Sequence, residues 1–572
     1  MDSRRATREL ERRRQHARRR RTLVRLLVAF VCLAALAAVL VLVLHGCSGS
    51  GGNGGAGSGK TTTTKAGGGS STTGGGAGTT GTTSSGATST TGGSGGTVAT
   101  AAGADAAGSG PGDVRTPGSF YGSINTKFAG LTMFRGNGSR TYYGEGPLPT
   151  NPQILWRFGP MSGMSMTEGK MKLWTGTGWT GQPSVFERDG KTWVVVGCYD
   201  KKIHFFDADT GEEIISPFTA TDIFKGSITV DPDGYPIVYM GCRDGNWRAI
   251  SFDRGKPVEL WHLNYRDTSP VIWNKDWDGN VVIRNDYAFI SGENSHFFIV
   301  KLNRAHNADG QVVMNPKIVL DFPGWTAQEL KDIGDTDVSI ENSPALVGNR
   351  LYFSNSGGLI HGLDVSATLK QLAPGEEPPS GRAAFPEVFS YWDGDDTDSS
   401  IVVDDQGYLY VGIELQRFLP RAKQVGQIIK LDPRKNKPGE DPLVWSVPVT
   451  KKSSDGLSGV WATVALYKDM VYVPTHPGSL LGIDRATGKI VWQKPFTEHA
   501  WSSVVVIDHT LVVGDTSGVL HAYDVSDTRV NPPEIWKFKI PSGGAIESTP
   551  AVWKGRIYVG DRDGYFYALG DK

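Results

Sequence analysis

The sequence has few histidines, and their spacing lacks the patterns that mark catalytic metal sites or hydrolytic triads. There are 11 His among 572 residues. None of them falls in an HExxH motif or in a paired spacing, so the usual helical zinc-enzyme pattern is missing. No Ser, His and Asp occur in a spacing that supports a nucleophile assignment. These absences argue against transition-metal catalysis and against a serine hydrolase.

The chain also lacks net charge, but the balance conceals an asymmetry. Lys and Arg together number 59, and so do Asp and Glu. Residues 1–25 hold 11 Arg and three acidic residues, which gives this segment a charge of +8 and leaves −8 on the remainder. An acidic globular part argues against nucleic acid as a partner. The Arg-rich segment is typical of a cytoplasmic tail beside a transmembrane helix.

Charged residues are absent from residues 26–44, which are 19 consecutive apolar or small residues. A helix of that length spans roughly 28 Å, close to the hydrocarbon thickness of a bilayer. The pattern predicts a single-pass signal anchor in the cytoplasmic (cell) membrane, with a cytoplasmic tail at 1–25 and the rest of the chain extracytoplasmic. A lipoprotein signal is the alternative, because Gly46, Cys47 and Ser48 resemble a bacterial lipobox and would make Cys47 a lipidation site.

Residues 45–114 have almost no side chains that could build a core, since Gly, Ser, Thr and Ala dominate. Such a composition predicts a disordered linker with a root-mean-square reach of about 45 Å. Residues 54–61 match the Walker A pattern. No strand precedes them, so the loop that would direct backbone amides at a phosphate is not expected, and we do not interpret the match as a nucleotide site.

From residue 115 to 572 the sequence contains eight copies of one unit. Each copy has three short runs rich in β-branched and aromatic residues, separated by Gly or Asp turns, which is the pattern of antiparallel strands. The middle runs end at Gly197, Gly241, Gly292, Asn355, Gly412, Pro474, Gly514 and Gly560. These repeats predict an all-β fold, an eight-bladed β-propeller with four-stranded antiparallel blades.

A fourth run, often carrying Trp, completes most copies; in the first copy we assign it to Ile214 and Ile215. The last copy has none, because the chain ends at Lys572. Residues 154–158, around Trp156, have strand character but belong to no copy. We therefore predict that this N-terminal strand closes the last blade, which leaves no long unpaired edge in the ring.

Residues 482–492 read Gly-Ile-Asp-Arg-Ala-Thr-Gly-Lys-Ile-Val-Trp. This segment resembles the tryptophan-docking repeat of β-propellers of the pyrroloquinoline-quinone (PQQ) type, the quinoprotein-like and BamB-like group. The resemblance covers about residues 132–570. It implies that Asp and Thr bond turn amides, Gly permits a positive φ and Trp packs between blades. The residues expected in this structural role are Trp156, Trp261, Trp445, Trp492, Trp536, Asp484, Thr487 and Gly488.

The resemblance leaves the activity open, because PQQ-type propellers include alcohol and sugar dehydrogenases as well as non-catalytic scaffolds. Dehydrogenases of the methanol-oxidising type carry a vicinal disulfide beside the cofactor. The chain has four cysteines, Cys32, Cys47, Cys198 and Cys242, and no two are adjacent. No catalytic or cofactor-binding residue can be assigned by motif. We therefore expect no cofactor, with PQQ and calcium as the alternative.

Two local features are candidate sites. Asp393, Asp395 and Asp398 offer oxygen ligands at calcium-like spacing, although short Asp and Gly turns are common in loops. Cys198 and Cys242 follow equivalent glycines of neighbouring units. Export would favour a disulfide between them, whereas equivalent positions of adjacent blades lie about 8–11 Å apart, beyond the limit of about 7 Å. The alternative is a pair of buried thiols.

Taken together, these patterns predict a non-enzymatic binding or scaffold protein of the bacterial cell envelope. Its partner would be a protein or a cell-wall component held by long insertions on a rigid ring. The predicted insertions are residues 303–317, 324–341, 368–387 and 415–424. A membrane-tethered PQQ-dependent dehydrogenase of alcohols or sugars is the alternative. A sensor that signals through the tail ranks third, since about 25 residues are too few for a signalling domain.

Overall fold

The computed structural model describes residues 120–167, 169–179 and 181–572. The predicted cytoplasmic tail, transmembrane helix, linker and Cys47 lie outside these residues. In the part of the chain that is described, no helix has the length and apolar character needed to cross a membrane.

Eight four-stranded antiparallel blades form the ring, as the repeats predict. They are numbered here in the order of their middle strands, and strands are given from the innermost to the outermost. Blades 1 to 4 comprise Ser184–Arg188, Lys191–Gly197, Lys202–Asp207 and Phe218–Thr219; Thr229–Val230, Ile237–Gly241, Asn246–Ser251 and Val258–Asn264; Val282–Arg284, Tyr287–Ser291, His296–Lys301 and Lys317–Pro323; and Ala345–Val347, Arg350–Ser354, Leu359–Asp364 and Glu387–Trp392.

Blades 5 to 8 repeat the arrangement. They comprise Val402–Val403, Leu409–Gly412, Ile428–Leu431 and Leu443–Val447; Ala465–Tyr467, Met470–Thr475, Ser479–Asp484 and Ile490–Pro495; Val505–Ile507, Thr510–Gly514, Val519–Asp524 and Glu534–Lys539; and Ala551–Trp553, Arg556–Gly560, Phe566–Gly570 and Gln153–Phe158. The buried side chains of adjacent blades form the core between them; Phe297 of blade 3 and Phe353 of blade 4, for example, stack with ring centroids 4.3 Å apart.

The N-terminal strand closes the ring, which confirms the prediction. Gln153–Phe158 pairs antiparallel with Phe566–Gly570, and Trp156 lies opposite Ala568. Two short strands precede it: Gly130–Leu131 pairs with the inner strand of blade 1, and Gly144–Glu145 runs parallel to the inner strand of blade 8. Residues 130–145, the axial plug, therefore lie along the inner edges of the blades.

A β-bulge recurs where the third and fourth strands pair. In blade 6 Gly482 lies opposite Trp492 and Ile483 opposite Ile490, so the intervening Val491 has no partner. The same shift occurs in blades 2 to 8. Because a bulge bends and twists the strand locally, it aims the following residue, which is Trp in five blades, toward the neighbouring packing surface.

The outer strand of blade 1 differs from the sequence interpretation. It is Phe218–Thr219, paired with Lys202 and Ile203, rather than Ile214 and Ile215. The tight turn that begins at Asp207 ends in an isolated bridge between Phe206 and Glu213. The backbone N–H of Ile214 still donates to the carbonyl of Phe205 at 2.8 Å, but continuous strand pairing begins only at Phe218.

Several elements lie outside the blades. Three two-stranded sheets pair Ser162–Thr167 with Lys170–Thr175, Arg304–His306 with Val312–Met314, and Glu414–Leu415 with Ser458–Gly459. The helices are Ala327–Ile333, which begins with a capping box between Thr326 and Glu329, Pro420–Val425, and the 3₁₀ helix Ser366–Leu369. The hairpin at 162–175 was not predicted from the sequence.

Candidate functional site

One residue from each blade lies four positions before the innermost strand begins, and together these residues surround the propeller axis. The described members, called the axial ring below, are Lys225, Asp278, Glu341, Asp398, Trp461, Trp501 and Glu547. The counterpart in blade 1, Thr180, lies outside the described residues. Since the innermost strands converge on the axis, the chemistry of the centre of the fold is set by this column of the repeat.

Two residues further along each blade, a second ring of polar side chains links the blades. The hydroxyl of Ser343 accepts from the backbone N–H of Asn280 at 3.0 Å. In the same way Ser400 accepts from Ser343, and Thr463 from Ser400, both at 3.0 Å. Ser503 continues the series by accepting from Thr463 at 3.0 Å. These buried hydrogen bonds fix the spacing of neighbouring blades around the axis.

The axial plug seals one end with two fully buried arginines. Arg140 donates to the carbonyl of Pro344 from Nη2 at 2.6 Å and to the carbonyl of Phe134 from Nη1 at 2.7 Å. Arg135 donates from Nη1 to the carbonyl of Val464 at 2.6 Å. Burial lowers the pKa of Arg140 to about 9 and that of Arg135 to about 10. Backbone carbonyls and the side-chain oxygen of Asn280 accept from these cations, so the plug depends on a complete set of hydrogen bonds.

Lys225 is the single cation of the described axial ring. Its Nζ lies 2.5 Å from Asp278, 3.0 Å from Asp276 and 3.7 Å from Glu293. Burial lowers the pKa of Lys225, but the three facing carboxylates outweigh it and raise that pKa well above 10.5. Arg243 lies 2.7 Å from Asp276 and is also held there. The lysine is thus fixed as an internal counter-ion and is not free to act as a base.

A second carboxylate group adjoins the first. The ligand oxygens of Asp396, Asp398 and Glu414 lie within 4.8 Å of one another. Burial raises the pKa of Asp396 to about 7, although Arg417, 3.9 Å away, opposes it. Burial, reinforced by repulsion from neighbouring carboxylates, raises the pKa values of Asp398 and Glu414 well above the ordinary range. Burial likewise raises the pKa of Glu341 to about 8. This carboxylate cluster either retains protons near neutral pH or exchanges them for a divalent cation with hard oxygen ligands.

An aromatic and histidine stack occupies the opposite arc of the axis. Nε1 of Trp501 donates to Nδ1 of His476 at 2.8 Å, so Nε2 of His476 donates to Asp455 at 3.0 Å. The rings of His476 and His499 stack at 4.3 Å, and those of His476 and Trp461 lie 3.7 Å apart. Both nitrogens of His476 are therefore used within the stack, which leaves it no lone pair for a metal.

The hairpin Ser162–Thr167/Lys170–Thr175, called the axial hairpin below, covers the end of the axis away from the plug. Its Trp174 packs against Tyr199 at 5.3 Å, and the guanidinium of Arg562 lies 5.3 Å from the Trp174 ring. Arg562 also lies 3.2 Å from Glu547 of the axial ring. The hairpin is thereby tied to the ring through an arginine on its inner face.

Little space remains on the axis. A cavity of about 10 Å³ is bounded by Asp278, Glu341 and Asp398, with Phe134 of the axial plug and Trp179 among its other walls. This is room for roughly one water molecule. A larger cavity of about 640 Å³ lies away from the axis, between Tyr121 and Tyr142 of the N-terminal segment and Tyr467 and Arg485 of blade 6.

Comparison with known proteins agrees with this architecture. No protein-family model matches the chain. It is 30% identical over 125 residues to a quinoprotein ethanol dehydrogenase of Pseudomonas putida, a match that covers 21% of this chain and 18% of that enzyme. The crystal structure of the quinohemoprotein alcohol dehydrogenase of Comamonas testosteroni aligns with a TM-score of 0.51 at 13% identity, covering 80% of this chain and 83% of that chain. BamB from Moraxella catarrhalis aligns with a TM-score of 0.46 at 15% identity, covering 71% of this chain and 100% of BamB.

The fold is that of a quinoprotein-like β-propeller. The matched segment spans less than a fifth of the curated dehydrogenase. The family resemblance inferred from the docking motif thus holds for the architecture of this quinoprotein-like propeller and leaves its activity open.

The aspartates proposed as calcium ligands have separate environments. Asp393 accepts from the Thr397 hydroxyl at 2.9 Å, and Asp395 accepts from the backbone N–H groups of Arg417 and Phe418. Both stabilise turns in this way. Asp398 alone belongs to the axial ring and to the carboxylate cluster. Of the three predicted ligands, only Asp398 lies in a group of close oxygen donors, with Asp396 and Glu414, and calcium binding stays a prediction.

The two described cysteines of the quinoprotein-like propeller, Cys198 and Cys242, are buried free thiols. No disulfide joins them. Burial raises the pKa of both thiols well above 9.0. Of the two alternatives posed by the sequence, the structure contains the pair of buried thiols.

The tryptophans of the docking motif contact the following blade or its approach. Nε1 of Trp156 donates to the carbonyl of Ala208 at 2.8 Å, and Nε1 of Trp445 donates to that of Arg485 at 3.1 Å. Gly488 has φ of +73°, and a Cβ there would lie 2.8 Å from the Trp445 ring. The glycine of one motif therefore receives the tryptophan of the preceding blade.

The remaining docking residues follow the same plan with local variation. Oδ1 of Asp484 accepts from both the backbone N–H and the hydroxyl of Thr487 at 2.8 Å, which holds the turn. Trp536 donates to the carbonyl of Pro149 at 2.9 Å. Trp261 packs edge-on against Trp247, and Trp492 packs against Tyr472 of its own blade.

Apart from Asp398, the axial residues could not be singled out from the sequence, because their proximity is created by the ring. Lys225, Glu341 and Glu414 stand in unremarkable local sequence. One signal was present: alignment of the repeats on the inner strands, instead of the middle strands, places the axial ring in a single column. That column contains charged residues and tryptophans where the following positions are small and polar.

Proposed function

We propose that this protein is a non-enzymatic binding or scaffold protein of the cell envelope, which presents a quinoprotein-like propeller outside the cytoplasmic membrane. The observation that carries the proposal is the closed axis. Pockets that hold small organic ligands enclose about 300–1,000 Å³. The axial cavity measures about 10 Å³. The axial plug and the axial hairpin bound the axis at its two ends.

The residues present do not fit PQQ. The centre of the axis is filled by Lys225 with its three carboxylates and by the stack of Trp461, His476 and Trp501. The described residues also contain no adjacent cysteines. A planar tricyclic quinone would have to displace several buried ion pairs, each of which is expensive to break. A non-catalytic role is therefore the better supported one.

The loops give the ring its binding surface. The insertion at 303–317 forms a hairpin, and those at 324–341 and 415–424 carry the helices Ala327–Ile333 and Pro420–Val425. The cavity of about 640 Å³ has the size of a ligand or side-chain pocket. We expect a protein or a cell-wall component as the partner, and no nucleic acid, since the globular part is acidic. The sequence pattern at 1–44 supports the membrane location.

A dehydrogenase is the second candidate, and the local identity to a quinoprotein ethanol dehydrogenase is what favours it. The full-length chain, incubated with PQQ and calcium, is assayed for dye-linked oxidation of primary alcohols and aldose sugars, with such a dehydrogenase as the positive control. We expect no turnover and no PQQ retained after desalting. Turnover above the protein-free rate would refute the scaffold proposal.

The partner can be sought with a photo-crosslinking amino acid at single positions in the native envelope. Gln328, on the helix of the second insertion, is exposed. Lys537, on the outer strand of blade 7, is also exposed and serves as the matched control. We expect a discrete crosslinked species from position 328 and none from position 537. Equal labelling from both positions would contradict a role for the insertions.

A further inference from the structure

The axial hairpin turns a methionine-rich face to solvent. Its register places Met166 opposite Met171 and Met164 opposite Leu173. Alternate residues of a strand share a face, and directly paired residues do so across strands, so all four side chains lie together. Their exposed fractions are 41% for Met164, 48% for Met166, 52% for Met171 and 64% for Leu173. The three thioether groups are thus accessible from solvent.

Packing does not explain why methionine occupies these exposed strand positions. The chain contains nine Met, and four of them fall within residues 161–171. Exposed strand positions usually carry polar or β-branched side chains, and Met is not among the residues favoured in strands. An apolar docking face could be built as well from Leu or Val. What distinguishes the three residues is their sulfur.

Thioether sulfur is a soft donor that selects Cu(I) over the hard divalent cations. Side chains directly opposite on an antiparallel pair have Cβ atoms about 4.5–5.5 Å apart. Methionine has three rotatable bonds beyond the backbone, so sulfurs starting from such positions can converge on one ion. Because the donors are neutral, they suit a monovalent cation better than a divalent one.

The backbone of the axial hairpin, which carries these sulfur donors, is held in place by contacts on its opposite face. Ser165 and Thr167, on the opposite face, are buried. Nη2 of Arg243 donates to the carbonyl of Met166 at 3.4 Å, and Trp174 packs against Tyr199. A hairpin with one face anchored presents the other in a constant arrangement, which lowers the entropy lost on binding.

We propose that Met164, Met166 and Met171 form a binding site for a soft monovalent cation, Cu(I), or Ag(I) as its redox-inert analogue. The site lies on the outer face of the axial hairpin. It is independent of the scaffold role, because no partner and no axial residue takes part in it.

The test uses the full-length chain with ¹³C-labelled methionine methyl groups, titrated with silver nitrate in chloride-free buffer and followed by methyl NMR. Single Leu substitutions assign the three hairpin signals. We expect the methyl signals of Met164, Met166 and Met171 to shift together and to saturate, while that of Met314, on another hairpin, stays in place. The double variant Met166→Leu/Met171→Leu should weaken the silver response of Met164 at least tenfold, and Met314→Leu should leave the hairpin titration unchanged.

Silver also binds thiols, and Cys198 lies beneath this part of the fold, where it bridges to Thr177. The double variant separates the two sources, since a shift transmitted from Cys198 would persist at Met164 after both neighbouring thioethers are removed. That persistence would overturn the proposal. It would also be overturned if the three signals did not move in tenfold excess of silver, or moved only in step with Met314. Unchanged positions of the other methionine signals show that the variant is folded.

Discussion

Replacement of Glu341 by Gln is expected to stabilise the propeller at alkaline pH and to flatten its pH dependence. Glu341 belongs to the axial ring, and burial, supported by nearby carboxylates such as Asp278, raises its pKa from 4.5 to about 8. The folded chain therefore binds a proton that the unfolded chain has released. The contribution to stability is complete below about pH 4.5, declines as the pH rises, and is lost above about pH 8.

The magnitude follows from the interval between the two pKa values. Each pH unit corresponds to about 1.4 kcal/mol, so an isolated group would lose as much as about 5 kcal/mol. Glu341 interacts electrostatically with Asp396, Asp398 and Glu414, and coupled groups divide such an effect. We expect Glu341→Gln to gain about 2–3 kcal/mol over the wild type at pH 8.5 and nothing at pH 5. The amide oxygen can still accept from the Ser339 hydroxyl, which lies 2.9 Å from Oε1 of Glu341.

The assay is urea unfolding at pH 5, 7 and 8.5, followed by tryptophan fluorescence in the presence of EDTA. The chelator matters because a divalent cation in the carboxylate cluster would keep these groups ionised and reverse the difference. Glu212→Gln, at an exposed position, is the matched control and should follow the wild-type profile. Parallel profiles for Glu341→Gln and the wild type, or a variant less stable at pH 8.5, would refute the reasoning.

Three further outcomes are expected. Arg140→Lys loses at least two of the hydrogen bonds that the guanidinium donates to Pro344, Phe134 and Asn280. This loss should lower the free energy of unfolding by about 3–6 kcal/mol in urea titrations. Arg529→Lys, at an exposed position, is the control and should leave the free energy of unfolding close to the wild-type value. Trp156→Ala removes the half-buried docking ring and its hydrogen bond to Ala208, and should lower the free energy of unfolding by about 2–4 kcal/mol. Amide hydrogen exchange in the closing strand should become faster. Unchanged exchange in peptides covering 153–158 would argue against closure by docking. Cys198 and Cys242, whose pKa values burial raises, should resist iodoacetamide at pH 8 for hours and react fully in 6 M guanidinium chloride; rapid labelling of the native chain would show that the blades open there.

The blades and their closure could be read from the sequence because each strand carries a local signature. Runs such as 557–560 and 565–569 combine β-branched and aromatic residues with Gly and Asp turns, and the surplus strand around Trp156 required a partner. The outer strand of blade 1 was misplaced, since Ile214 and Ile215 satisfy the same local pattern as Phe218. The strand preference of a short segment does not show at which residue, after a turn, the chain pairs again with the edge of the sheet.

The site was less accessible to sequence reasoning, for two physical reasons. Lys225 meets Asp276 and Glu293 only because the ring curves, and no local pattern encodes that distance. The axial hairpin carries Met, Ser and Gly where strands usually carry branched residues, so its strand signal is weak. Conversely, the acidic run at 393–398 attracted interest through its composition, although Asp393 and Asp395 are occupied by turn hydrogen bonds.

The order in which the N-terminal segment contacts the blades determines how the fold would resist a force applied at the N-terminal end of the propeller. A tension applied at residue 120 first meets the hydrogen bonds of Tyr121 to Thr141 and of Thr126 to Pro232, and next the short pairing of Gly130–Leu131 with blade 1. It then meets Arg135 and Arg140, which are fastened to carbonyls of blades 4, 6 and 7. Only beyond them lies Gln153–Phe158, the strand on which the ring depends. The axial plug therefore distributes an applied force over several blades before that force reaches the closing strand.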